Sequence, residues 1–173
     1  MAATQEMVKI AYEAKPDVVT LVPERREELT TEGGLDVIGQ RDTIQKVVRT
    51  LRDGDIEVSL FIDPDLDQVK AAHKVGAGRI ELHTGRYCDT RNPRERQREL
   101  SRIVDSAKTA AKLGIEVAAG HGLNYENVQP IASIGEIMEL NIGHSIVARA
   151  VFVGMQAAVR EMVELIQRAP PMR

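Results

Sequence analysis

The chain has one cysteine in 173 residues, Cys88, which excludes an internal disulfide framework and offers no cysteine-based metal-ligand spacing. A lone cysteine also fits a reducing compartment. No apolar run approaches the roughly 20 residues needed to span a bilayer. The first residues show no basic stretch followed by a hydrophobic one, so no secretory signal is expected and the expected location is the cytoplasm. Neither sign of charge dominates, the formal net charge being −3. There is thus no general electrostatic reason to bind nucleic acid or an anionic membrane. Any phosphate site must be local, built from oriented backbone amides and a few cations. What is present is an ordinary mixture, 43% hydrophobic and 28% charged, sufficient for one domain over residues 1–173.

Apolar spacing sets the expected elements. Met7, Ile10, Ala11 and Ala14 share a helical face that Lys15-Pro16 closes. Buried strands are expected at Asp17–Val22, Ile56–Ile62, Arg79–His83, Ile115–Ala119 and Met138–Ile142. Between them, Ile44, Val47, Val48 and Leu51 mark a helix stopped by Asp53-Gly54, and Leu66, Val69, Ala72 and Val75 mark a shorter one ending near Gly76. A long helix is expected from Pro93 to Leu113, a short one around Asn127–Ala132, and a final one from Ser145 to Arg168. Arg25–Gly34 reads as a loop over one end of the sheet, and a polar loop is expected after Gly85. One helix followed by five strand–loop–helix repeats implies right-handed crossovers and a parallel sheet covered on both faces. Five βα units do not close a barrel, which needs eight and about 250 residues.

In parallel α/β proteins ligands sit at the carboxyl ends of the strands. The distinctive polar residues fall there: Glu24, Thr30, Asp63, Glu81, His83, Thr84, His121 and His144. His121 lies in a Gly-His-Gly turn at a strand exit. With an ordinary pKa of about 6.5 it could act as a general acid or base, or it could be a loop histidine with a structural hydrogen bond. Gly143-His144-Ser145 opens a helix whose first amides could cradle a phosphate, or Ser145 could simply be the N-cap. Glu81 lies inside an apolar strand, where a carboxylate is costly unless paired or working. His83 is expected on the same side of that strand, where a contact with Glu81 could be structural support. Thr30-Thr31-Glu32-Gly33-Gly34 offers hydroxyls and flexible backbone for a phosphate or sugar, though such a stretch is usually a plain loop. Arg91, Arg94, Arg96, Arg98 and Arg102, interleaved with Glu95, Glu99 and Asp105, read as a solvated helix face. His73 is expected to be an exposed helix residue.

Five segments together resemble one known family. They are Val22-Pro-Glu-Arg-Arg-Glu-Glu-Leu-Thr-Thr-Glu-Gly-Gly-Leu-Asp36, Val58-Ser-Leu-Phe-Ile-Asp63, Ile80-Glu-Leu-His-Thr-Gly85, Ala119-Gly-His-Gly-Leu-Asn124 and Glu139-Leu-Asn-Ile-Gly-His144. In order and over essentially the whole chain they look like pyridoxine 5′-phosphate synthase. The resemblance implies a (β/α)8 TIM barrel assembled as a homo-octamer. It implies an enzyme that condenses 1-deoxy-D-xylulose 5-phosphate with 3-amino-2-oxopropyl phosphate, releasing phosphate and water, with no metal or organic cofactor. Matched by motif, His121 takes the place of an acid/base histidine and Glu81 that of a transition-state-stabilising glutamate. Gly122, Gly143 and His144 match contacts to the amino-ketone phosphate, and Thr30 a contact to the deoxyxylulose phosphate.

The resemblance also implies a shorter architecture than the family's. Three further βα units open the family's barrel. They carry an Asn-Ile-Asp-His motif, a second catalytic histidine and a glutamate in Asn-Leu-Glu-Met-Ala, of which Met1-Ala2 match the last two residues. The expected fold is therefore a partial (β/α)8 barrel, strands four to eight preceded by one helix, with little or no synthase activity alone. Two alternatives stay open: a non-catalytic phosphate-binding α/β module, and a subunit completed by an N-terminal fragment.

Overall fold

The computed structural model describes residues 1–24 and 33–171. Its element order is α1 (Gln5–Ala14), β1 (Val18–Leu21), α2 (Arg41–Asp53), β2 (Glu57–Ile62), α3 (Leu66–Val75), β3 (Arg79–His83) and α4 (Gly85–Asp89). These are followed by α5 (Pro93–Lys112), β4 (Glu116–Gly120), α6 (Val128–Ala132), β5 (Ile137–Asn141), α7 (His144–Val153) and α8 (Met155–Gln167). Local chemistry accounts for the ends. Asn92 caps α5 by accepting from the Arg94 amide, with Pro93 in the first turn where a missing N–H costs nothing. Asp65 caps α3 through the amides of Asp67 and Gln68, and Gly76, at φ 86°, takes the left-handed turn that ends it.

All five strands pair in parallel in the sequential order β1-β2-β3-β4-β5. A sequential order joined by right-handed crossovers carries every connecting helix to the same face of the sheet. The expectation of helices on both faces is therefore corrected. One face is covered, and its core is aliphatic: Leu21, Leu60, Ile80 and Leu82 on the strands meet Ile44, Val48, Val69, Ala72 and Ile103 on the helices, all at most 1% exposed. The other face is concave and polar, lined by Thr20, Ser59, Arg79, Glu81, Glu139 and Asn141. Period-two alternation divides each strand between the two.

Three local expectations differ from what is found. The final helix breaks at Gly154, whose φ 84° and ψ 152° suit only glycine, giving α7 and α8. The expected polar loop after Gly85 contains the short helix α4, seated by buried Tyr87, whose hydroxyl donates to the Asn127 carbonyl at 2.9 Å. On α5, Glu99 is not solvated but 3% exposed, held by Arg102 at 2.9 Å and Arg98 at 3.5 Å. His73 is exposed, as its sequence position suggests. Among the described residues no helix is long and apolar enough to cross a membrane.

Candidate active site at the carboxyl ends of the strands

β4 runs out at Gly120, and the next two residues, His121 and Gly122, both adopt left-handed backbone at φ 80° and 81°. For glycine this is ordinary; for a histidine it costs on the order of 1–2 kcal/mol. The turn is held in that shape from β3. Thr84, completely buried, donates its amide to the Gly120 carbonyl at 2.8 Å. Its hydroxyl lies 2.8 Å from the same carbonyl and 2.6 Å from that of His121, so one proton is shared between two acceptors. Gly122 has no room for a side chain either, since a Cβ there would stand 2.9 Å from Cβ of Cys88. The result is an exposed imidazole on a rigid base.

That imidazole meets two other rings. His83 and His121 lie edge to face with centroids 4.8 Å apart, and Phe61 sits 5.0 Å from His83 and 6.3 Å from His121. His83 shares the inner side of β3 with Glu81, as alternation requires, but its hydrogen-bond partner is Asp63: Nδ1 and Oδ1 are 3.1 Å apart. Asp63 also accepts the Gly34 amide at 3.0 Å. Asp63 is held below the usual carboxylate range, first by the hydrogen bond from His83 and then, against the cost of burial, by the Gly34 amide and the nearby Arg86 charge.

Glu81 has the opposite character. Burial raises its pKa and the nearby Glu139 charge adds to that, while a hydrogen bond from Asn141 works against it. Its carboxylate occupies the space a side chain on Gly120 would need, and Asn141 Cβ would stand 3.0 Å from such a Cβ. Glu81 therefore lies beside the residue that carries the chain into the His121 turn.

Gly143 is the N-cap residue of α7, and no side chain caps that end. The first amides of the helix have no intrahelical acceptor and form the positive end of its dipole, which suits an anion. Ser145 is not the N-cap; its hydroxyl donates to the Leu123 carbonyl at 2.8 Å. That bond ties the start of α7 to the end of the Gly-His-Gly turn, so Gly122 and the pair Gly143–His144 belong to one neighbourhood. Thr30 lies outside the described residues. Sequence reasoning placed Asp63 and Thr84 at this end of the sheet without giving either a role. The side-chain contributions of Asn127, which donates to the Gly122 carbonyl at 3.2 Å, and Asn141 were missed, since single asparagines carry no spacing signal. Among the described residues no group of three His, Cys, Asp or Glu side chains could hold a metal ion.

The comparisons with known proteins agree with one another. A family model described as pyridoxal phosphate biosynthesis protein PdxJ matches residues 1–168. The pyridoxine 5′-phosphate synthase of Syntrophotalea carbinolica is 58% identical over 166 residues, covering 96% of this chain and 70% of that protein. That of Geobacter sulfurreducens is 57% identical, covering 98% of this chain and 71% of the other. Among solved structures, 3-hexulose-6-phosphate synthase superposes with a TM-score of 0.61 at 15% identity over 95% of this chain and 70% of that one. The tryptophan synthase α-subunit of Pyrococcus furiosus gives 0.59 at 12% identity, over 94% and 59%. Those two likenesses speak for a TIM-barrel-like fold and for nothing further.

Proposed function

This chain belongs to the family of the pyridoxal phosphate biosynthesis protein PdxJ, and we propose that its strand ends form part of a pyridoxine 5′-phosphate synthase active site. The reaction is the condensation of 1-deoxy-D-xylulose 5-phosphate with 3-amino-2-oxopropyl phosphate. The observation that carries the reading is the clamped, left-handed His121 turn beside Glu81 and tied to the α7 N-terminus. Imine formation, dehydration and ring closure are proton transfers, and an exposed imidazole on a fixed backbone can give and take those protons. Glu81, raised by burial, can supply a proton or hydrogen bond where oxygen charge develops. The free amides at Gly143 and His144, with the Gly122 backbone, take the phosphate of the amino ketone, and Thr30 contacts that of the sugar.

The architecture proposed with this reading is five βα units of an eight-unit barrel. Its support is the concave polar face and the sheet edges. β1 and β5 each pair on one side only, among the described residues. Beside β1, Met1 already makes ladder-like bonds, its amino group to the Thr20 carbonyl at 2.7 Å and its carbonyl from the Val22 amide at 3.0 Å. Open parallel edges and apolar residues such as Val151 and Phe152, 79% and 84% exposed, favour association, in keeping with a homo-octameric family assembly. Alone the chain should bind phosphate yet turn over little, because the acid/base groups of the other strands are needed as well.

The test is to titrate the chain with inorganic phosphate and each substrate while following the His144 and Ser145 amides by NMR, and to assay turnover with and without a fragment carrying the remaining βα units of a relative. Perturbation at α7 with turnover only in the mixture is expected. Normal turnover by the chain alone would sink the partial-barrel reading, and unmoved α7 amides would sink the phosphate assignment.

A further inference from the structure

The His83 ring presents an uncommon combination. It is 3% exposed, its Nδ1 is bonded to Asp63, and its Nε2 has no hydrogen-bond partner. A buried N–H left without an acceptor costs more than a bare lone pair in an edge-to-face ring contact. Asp63, held below the usual carboxylate range, accepts and cannot donate, so the proton belongs on Nδ1 and the lone pair on Nε2. That lone pair borders the same small space above Gly85 as the Cδ2 edge of His121: a Cβ on Gly85 would lie 2.7 Å from His83 Nε2 and 3.3 Å from His121 Cδ2. Ring C–H edges become more positive when an imidazole is protonated, so a lone pair close to that edge favours the imidazolium.

We propose that Asp63 and His83 are a positioning pair for His121. Asp63 fixes His83 as the neutral Nδ1–H tautomer, and His83 braces the His121 ring and raises its affinity for a proton. Because Asp63 also holds the Gly34 amide, the same pair links His121 to the start of the segment before α2. The other titratable groups on the elements around the two rings are Arg79 and Glu81 on β3, Arg86, Tyr87, Cys88 and Asp89 on α4, Glu57 on β2 and Glu116 on β4. The Cys88 thiol, pushed up to about 11 by burial, stays neutral throughout the working range. The inference rests on the acid/base role of His121 proposed above, but its test needs no turnover.

The experiment is 15N-edited imidazole NMR of the full chain as a function of pH, for the wild type, Asp63→Asn and His83→Phe. In the wild type, His83 should show the Nδ1–H tautomer at neutral pH. In either variant the His121 midpoint should fall by about half a pH unit or more. The introduced asparagine can keep its oxygen on the Gly34 amide and His83 Nδ1 but removes the carboxylate charge that holds the proton on Nδ1, while the introduced phenylalanine ring would present a C–H edge in place of the lone pair. His73, exposed on α3, should titrate alike in all three. Finding His83 with its proton on Nε2 overturns the proposal, even if neither variant folds. So does an unchanged His121 midpoint in two folded variants, which would leave the pair a packing element. Loss of turnover without these shifts would count against the pair and not against the site.

Discussion

The clamp on the His121 turn can be broken with one oxygen atom. Thr84→Val keeps the shape of a completely buried side chain and removes only the hydroxyl. Two carbonyls lose that donor, but unequally. Gly120 keeps the Thr84 amide at 2.8 Å, whereas the His121 carbonyl keeps the Cys88 thiol at 3.6 Å, a weak donor. The loss is therefore close to one buried carbonyl left unsatisfied, on the order of 1–3 kcal/mol, from which the added methyl returns under about 1 kcal/mol. A net destabilisation of about 1–2 kcal/mol corresponds to a drop of roughly 0.5–1 M in the urea midpoint for a slope near 2 kcal/mol per molar. Thr84→Ser, which keeps the hydroxyl, should recover most of it. Amide exchange at Gly122 and Leu123 should accelerate in the valine variant more than exchange in β2, since the damage is local. An unchanged midpoint for Thr84→Val, or a serine variant as weak as the valine one, would refute the clamp.

Other perturbations test the same end of the sheet. Gly85→Ala drives a methyl to within 3.0 Å of the buried His83 ring and should cost about 1–3 kcal/mol in the same urea assay. His121→Asn places a residue tolerant of positive φ where histidine is strained; the protein should unfold at the same urea concentration or higher, by up to about 1 kcal/mol, while any complemented turnover is lost. Glu81→Gln should separate from the wild type only as pH rises above 4.5. Below the ordinary value of 4.5 the side chain is protonated folded and unfolded, so the two should melt alike. As pH rises through the raised folded value the wild type loses stability that the glutamine variant keeps, readable as a widening gap in Tm. Asp63 has the opposite sign: its contribution is present above 3.8 and lost as pH falls through the depressed folded value. Asp63→Asn should thus be less stable than the wild type at neutral pH and show a flatter acid limb.

The strands and the main helices were legible in the sequence because each is an apolar run or stripe stopped by Gly, Pro or Asp. What was not legible depends on distance along the chain. α4 spans five residues, Gly-Arg-Tyr-Cys-Asp, too few to show a period, and it is seated by Tyr87 reaching the carbonyl of Asn127, 40 positions away. The break at Gly154 leaves helical spacing on either side, and only the backbone angle reveals it. Glu99 sits in a run of charges that reads as a solvated face, and composition cannot say which side of α5 meets its neighbours. The strand alternation put His83 beside Glu81 correctly. Its partner is Asp63, because the register that pairs Ile62 with Leu82 brings the next residues of β2 and β3 together. One-sided covering of the sheet was decided by strand order, which no single segment encodes.

The costs in this molecule are unevenly spread, and their location argues for function more strongly than any one motif. The helix side of the sheet is aliphatic and, apart from the buried Ser106 hydroxyl on α5, its buried side-chain polar atoms are partnered among the described residues. At the carboxyl ends, within the reach of a few side chains, stand a histidine in left-handed backbone, a carboxyl whose charge burial opposes, and a buried imidazole nitrogen with no partner. Each is worth on the order of 1–3 kcal/mol against folding, in a domain whose whole margin is typically about 5–15. Lys15 and Asp55 are also left-handed, but each stands alone just past a helix end, whereas the costs at the carboxyl ends are linked. Here they share supports: Gly120 leaves room for Glu81, Thr84 holds Gly120 and His121, and Gly85 leaves room for both histidine rings. A set of strained groups held in place by one another is what a site for proton transfer requires, since the strain is useful only if the geometry survives it.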